Sequence, residues 1–63
     1  MKLLNIPSLS LLLNVKPKTI YDWVHRKYIP YIKLGKLVRF EETAILKWID
    51  EKKTEKISRH RFL

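Results

Sequence analysis

The stretch that decides the fold is residues 5–27, NIPSLSLLLNVKPKTIYDWVHRK. It predicts two short helices with a break between them. Asn5 has the side chain of a good helix N-cap, and Pro7 falls in the first turn, where its missing N–H costs nothing. Apolar residues then recur at helical spacing and form one stripe on the first helix. The residues of that stripe are Ile6, Leu9, Leu12 and Leu13.

The second helix follows a break at Asn14-Val15-Lys16 and is expected to begin at Pro17, because proline suits the first helical position. It is expected to end near Lys27, before Ile29-Pro30. At about 100° per residue, one side of this helix is apolar and the other is polar. The apolar side consists of Ile20, Trp23 and Val24. The polar side is centred on Lys18, Asp22 and His25 and flanked by Thr19, Tyr21 and Arg26.

A β-hairpin is predicted after the second helix, from residues 31–34 and 37–40, which are joined by Gly35-Lys36. A two-residue loop with glycine first fits a type II′ turn, a favoured hairpin connection. The predicted inner face of the hairpin consists of Ile32, Leu34, Val38 and Phe40. The predicted outer face consists of Tyr31, Lys33, Leu37 and Arg39.

A third helix is expected to open at residues 41–43, where two glutamates suit the positive end of the helix dipole. Its apolar stripe is Ile45, Trp48 and Ile49. From Thr54 the periodicity is lost and the chain turns basic, which indicates a frayed helix end or a flexible tail. The predicted fold class is mainly α with a small β-hairpin, a winged helix-turn-helix. Its domain spans residues 1–53, and a basic C-terminal tail, a helix extension or flexible, spans 54–63.

The composition narrows the function. A chain of 63 residues forms one domain, and the absence of cysteine excludes disulfides and thiolate zinc sites. Fourteen Lys and Arg against six Asp and Glu give a formal charge of +8, which attracts nucleic acid or anionic membrane. The apolar run at residues 9–13 is too short to span a bilayer, and no targeting segment is visible, which suits a cytoplasmic protein. No metal and no cofactor are expected.

The order of these elements favours binding to double-stranded DNA. Two helices joined by a short break have helix-turn-helix geometry, and the polar side of the second helix carries groups that reach base edges and phosphates in a major groove. A basic hairpin tip suits phosphates or a minor groove. The predicted contacts are Lys16, Lys18, Thr19, Tyr21, Asp22, His25 and Arg26 in the recognition helix and Lys33, Lys36 and Arg39 in the wing.

Several of these residues have a second interpretation. Asp22 either accepts a hydrogen bond from a cytosine amino group or pairs with Arg26 one turn later. His25 is either a DNA contact or an ordinary surface histidine. Trp23 and Trp48 are expected in the core, with stacking on single strands as the alternative. No Ser or Cys nucleophile lies beside Asp22 and His25, and there is no Gly-rich phosphate loop, so no catalytic residue and no enzymatic activity are predicted.

The chain also resembles the excisionase-type DNA-binding domains, relatives of the MerR winged helix-turn-helix group. The resemblance runs from about Leu4 to Ile49. It rests on residues 12–15 (LLNV), 19–24 (TIYDWV), 29–30 (IP), 33–36 (KLGK) and 39–40 (RF), and closes on Ile45 and Trp48. It implies that the second helix enters the major groove and that the wing lies against the backbone or minor groove. The chain departs from the family pattern at three positions. Lys16 stands where these domains usually have a serine helix cap, and Lys27 stands where they usually have glycine after the second helix. Ser10 replaces a usual alanine.

The expected function is sequence-specific duplex binding, as an excisionase-like recombination directionality factor or a small transcription regulator. The alternative is a basic protein-interaction or anionic-membrane-surface module. Expected partners are double-stranded DNA and, beyond it, a recombinase or integrase, or further copies of the chain on DNA. The domain is expected to be a monomer in free solution, because its third helix has one short apolar stripe and no sustained heptad run.

Overall fold

The computed structural model describes the backbone of residues 1–61 and the side chains of residues 1–53. Within that part the chain forms three helices and a three-stranded sheet, which confirms the predicted winged helix-turn-helix. The elements in chain order are β1 (Leu3–Leu4), α1 (Ile6–Leu13), α2 (Pro17–His25), β2 (Ile32–Leu34), β3 (Leu37–Glu41) and α3 (Glu42–Arg61). The side chains of the predicted tail, and residues 62 and 63 altogether, lie outside the described residues.

Helix α1 begins as its sequence predicts. The Ser8 N–H donates to Asn5 Oδ1 at 2.9 Å, so the asparagine caps one of the free N–H groups of the first turn. The helix ends at Asn14, which adopts the left-handed conformation with φ 56°. The Val15 N–H then donates back to the Ser10 carbonyl at 3.1 Å, which satisfies a carbonyl of the last turn.

Helix α2 also begins at its predicted proline, Pro17. The preceding residue, Lys16, makes no side-chain capping bond, as expected of a residue without a short acceptor group. At the other end Lys27 turns the chain with φ 57°. The Tyr28 N–H donates to the Trp23 carbonyl at 2.8 Å, and the Lys27 N–H donates to the Val24 carbonyl at 3.0 Å. These two bonds form a Schellman motif, which glycine normally completes.

The sheet has the order β1-β3-β2, and both strand pairs are antiparallel. Strand β1 was not predicted, since two residues are too few to show an alternating pattern. In the structure Leu4 lies opposite Phe40, and both are buried. The Glu42 N–H, at the start of α3, donates to the Lys2 carbonyl at 3.0 Å, so the N-terminal segment holds the junction between sheet and helix.

The predicted faces of the hairpin are wrong. Residues directly opposite in an antiparallel pair share a face. Leu34 pairs with Leu37, Lys33 with Val38 and Ile32 with Arg39, so each predicted face mixes residues from both sides. The face toward the core carries Tyr31, Lys33, Val38 and Phe40, with Lys33 exposed near the turn. The face away from the core carries Ile32, Leu34, Leu37 and Arg39.

The core draws one residue from nearly every element and from the loop before β2. It consists of Leu4, Leu9, Ile20, Ile29, Phe40 and Ile45. The predicted stripe on α1 is wrong at Leu12, which is 48% exposed. The buried side of α1 is centred between Ile6 and Leu13, and Ser10 takes the inward position instead. Its hydroxyl donates to the Pro7 carbonyl at 2.8 Å, so it is buried with its hydrogen bond made.

Three aromatic side chains fasten α2 to α3. Trp23 and Trp48 pack against the core, as expected, and their ring centroids lie 5.8 Å apart. Tyr28, from the loop after α2, meets each of them edge to face at 5.6 Å. Such edge-on pairs add to the burial energy of the rings. The cluster therefore fixes the end of α2 relative to the third helix.

Candidate nucleic-acid interface

The outward side of α2 presents polar side chains to solvent. Lys18, Asp22 and His25, at its centre, are all exposed. Of the flanking residues, Tyr21 is 62% exposed and Thr19 is half-buried. The apolar side of the helix is anchored by the fully buried Ile20, which leaves the opposite side free for a partner. The structure therefore brings the central predicted contacts together on one exposed surface.

An ion pair lies on this surface. Arg26 Nε is 3.2 Å from Asp22 Oδ2, one helical turn away, and both side chains are at least half exposed. Of the two interpretations of Asp22, the free protein therefore shows the pairing with Arg26. An exposed pair of this kind is weak. Either side chain can therefore leave its partner and contact a DNA group instead.

The wing, which is the hairpin of β2 and β3, lies beside α2. Tyr21 of α2, the first residues of α1 and the wing line one shallow concavity. Its residues are Asn5, Ile6, Pro7, Tyr21, Lys36, Leu37, Val38 and Arg39. Two of the three predicted wing contacts, Lys36 and Arg39, therefore share a surface with α2. The third, Lys33, is exposed on the other face of the hairpin.

The Arg39 side chain is braced by its own strand. Its Nη1 donates to the Val38 carbonyl at 2.8 Å, and the residue is half-buried. The sequence leaves open an ion pair from Arg39 to Glu41 or Glu42 in place of a DNA contact. Neither pair forms among the described residues, and the Glu42 carboxylate lies 3.7 Å from Lys2 Nζ instead. This bond holds one end of the guanidinium against β3.

Two features are absent from the described residues. Among residues 1–53, no three His, Cys, Asp or Glu side chains come together as a metal site. No helix within the described part of the chain has the length and apolarity needed to cross a membrane.

One surface was not predicted. Trp23, Arg26, Lys27 and Tyr28 line a second concavity at the end of α2, away from the wing. The only sequence signal for it was the departure at Lys27, where a lysine stands at a position that favours glycine.

No curated protein and no solved structure matches the chain. A family model described as a helix-turn-helix domain matches residues 3–53, which spans every element up to the middle of α3. Domains of this family are typically non-enzymatic, and the match supports DNA binding. The chain therefore belongs to this excisionase-like family of helix-turn-helix domains.

Proposed function

We propose that the chain binds double-stranded DNA sequence-specifically, with α2 in the major groove and the wing on the adjacent backbone or minor groove. The observation that carries the proposal is the shared surface of Tyr21, Lys36 and Arg39 beside the outward side of α2. A duplex that admits α2 into its major groove brings its sugar–phosphate backbone against that surface. The formal charge of +8 favours the encounter at long range.

The side chains at the centre of α2 have the chemistry needed to read bases. Lys18 can donate to the O6 and N7 atoms of guanine, and Asp22 can accept from the N4 amino group of cytosine. His25 lies one turn after Asp22 on the same side and is exposed. The residues that flank this centre are assigned to DNA contacts at its edges. They are Lys16, Thr19, Tyr21 and Arg26.

Two biological roles fit such a domain: an excisionase-like recombination directionality factor, related to the MerR-like winged helix-turn-helix group, and a small transcription regulator. In the first role the further partners are a recombinase or integrase and additional copies of the chain on neighbouring sites. The free protein is assigned as a monomer. The position of the binding site, in an attachment region or in a promoter, distinguishes the roles.

Selection from a random duplex library tests the proposal. We expect enrichment of one short motif, and binding to it that falls steeply as salt rises, with roughly 4–7 counterions released at about 0.9 per phosphate contact. Anionic vesicles in the same buffer serve as the competing surface. A flat salt response, no enriched motif, or preferential binding to the vesicles would contradict the proposal.

A further inference from the structure

The unpredicted concavity at the end of α2 is rich in cations and aromatic rings. Arg26 and Lys27 line it together with Trp23 and Tyr28. A third cation joins them from α3, because Lys52 Nζ lies 4.8 Å from the centroid of the Tyr28 ring. Tyr28 is 47% exposed, so this ring positions the lysine while both remain accessible to a partner. We call Arg26, Lys27 and Lys52 the far-flank cations.

Lys27 occupies its position at a cost. Its φ of 57° places an L residue in the left-handed region, which glycine adopts without a steric penalty. Strained backbone of this kind concentrates at functional sites. The Schellman motif at this helix end would form equally well with glycine. What glycine would not supply is an exposed cation at the edge of α2.

Arg26 lies on the opposite side of the outward face of α2 from the wing, and Lys27 and Lys52 are grouped with it by the shared concavity and by the Tyr28 ring. Tyr21, which faces the wing, and Arg26 are separated by about 140° around α2 at 100° per residue. The outward side of the helix, with Lys18 and Asp22, lies between them. An α-helix with its side chains is about 10–12 Å wide, and a major groove is about 12 Å wide. The two flanks of an inserted helix therefore meet the two backbones that border the groove.

From this geometry we infer that Arg26, Lys27 and Lys52 contact phosphates of the DNA strand on the side of the major groove opposite the wing. The inference rests on the proposed function and adds to it a second backbone contact. The domain then holds the duplex from both sides of α2. Long, exposed cationic side chains are typical of phosphate contacts, which position a protein on DNA without reading its sequence.

Salt dependence of binding to the selected duplex tests Lys27 and Lys52 individually. Lys27→Gln and Lys52→Gln should each lower the slope of log affinity against log salt by about 0.9 and leave the ranking of single-base site variants unchanged. The matched control is Lys47→Gln, an exposed lysine on the side of α3 away from its buried Ile45, which should leave the slope as in the wild type. Unchanged slopes for both far-flank variants would overturn the inference.

Lys27→Gly separates a binding role from a structural one. It relieves the strained backbone, so the variant should unfold at higher urea than the wild type, and yet it should bind DNA with the lower salt slope. A variant that is more stable and binds DNA as tightly as the wild type would contradict the inference.

Phosphate-ethylation interference gives the position directly. We expect interfering phosphates on both strands that border the occupied groove, and loss of the set opposite the wing in a Lys27→Gln, Lys52→Gln double variant. Interference on the wing side alone would overturn this inference and leave the proposed function standing. If the wild type binds no duplex at all, the proposed function fails first. Retention of an acidic protein by the far-flank cations, with unchanged DNA binding, would likewise overturn the inference.

Discussion

The carboxylate of Asp22 and the guanidinium of Arg26 face each other at 3.2 Å across one turn of α2, on the surface assigned to DNA. Both side chains are substantially exposed, so solvent screens the pair, and it contributes about 0.5 kcal/mol or less to folding. The pair orients the two side chains, and each one can still break the pair to contact DNA. Its energy is small compared with that of a base contact, which is worth about 1–3 kcal/mol.

Asp22→Asn should therefore change DNA recognition far more than stability. We expect the free energy of unfolding to change by less than about 0.5 kcal/mol. At one base pair the preference should move from cytosine toward adenine, because an amide pairs with the N6 and N7 atoms of adenine. Glu51→Gln, an exposed acidic residue of α3, is the control for the same change in net charge. If the Asp22→Asn protein ranked the site variants as the wild type does, Asp22 would not be a base-reading residue.

Lys27→Gly should stabilise the fold by about 1 kcal/mol, since φ at this position is 57° and glycine adopts it without a steric penalty. Asn14→Gly is the matched comparison, because Asn14 has nearly the same φ of 56°. Asparagine tolerates the left-handed region better than lysine does, so its replacement should gain less. Urea unfolding measures both. Equal gains, or a lower midpoint for Lys27→Gly, would argue against backbone strain at Lys27.

The two helix N-termini should respond in opposite directions to a change of cap. Asn5→Ala removes the acceptor of the Ser8 N–H and should cost about 1 kcal/mol of stability. Lys16→Ser should supply the bond that α2 lacks and gain a similar amount. Thermal or urea unfolding checks the pair. If Lys16→Ser gave no gain, the free N–H groups of α2 would already be satisfied by water.

The sequence predicts the parts of this fold that depend on neighbouring residues. The starts of α1 and α2 follow from Asn5 and Pro17, and the separation of polar from apolar side chains on α2 follows from its periodicity. The exposed centre of the candidate site, Lys18, Asp22 and His25, follows from that same periodicity. These are local effects, and each is decided within one or two helical turns.

The errors arise where distant residues decide. Strand β1 forms because Leu4 pairs with Phe40, which is far along the chain. No local pattern predicts that pairing. The hairpin faces depend on which residues lie opposite across the turn, and the alternation within each strand does not specify this. The grouping of the far-flank cations depends on Lys52 lying near Tyr28, which follows only from the packing of α3.

The central claim is that α2 reads the bases and the wing holds the backbone. Competition binding against the selected site and its single-base variants tests it most directly. Lys18→Ala and His25→Ala represent α2, and Lys36→Ala represents the wing. The two helix variants should each lose about 1–3 kcal/mol on the best site and relax the preference at one or two base pairs. Lys36→Ala should weaken every duplex nearly equally and lower the salt slope by about one. If Lys36→Ala changed the base preference and the helix variants did not, the account would be contradicted.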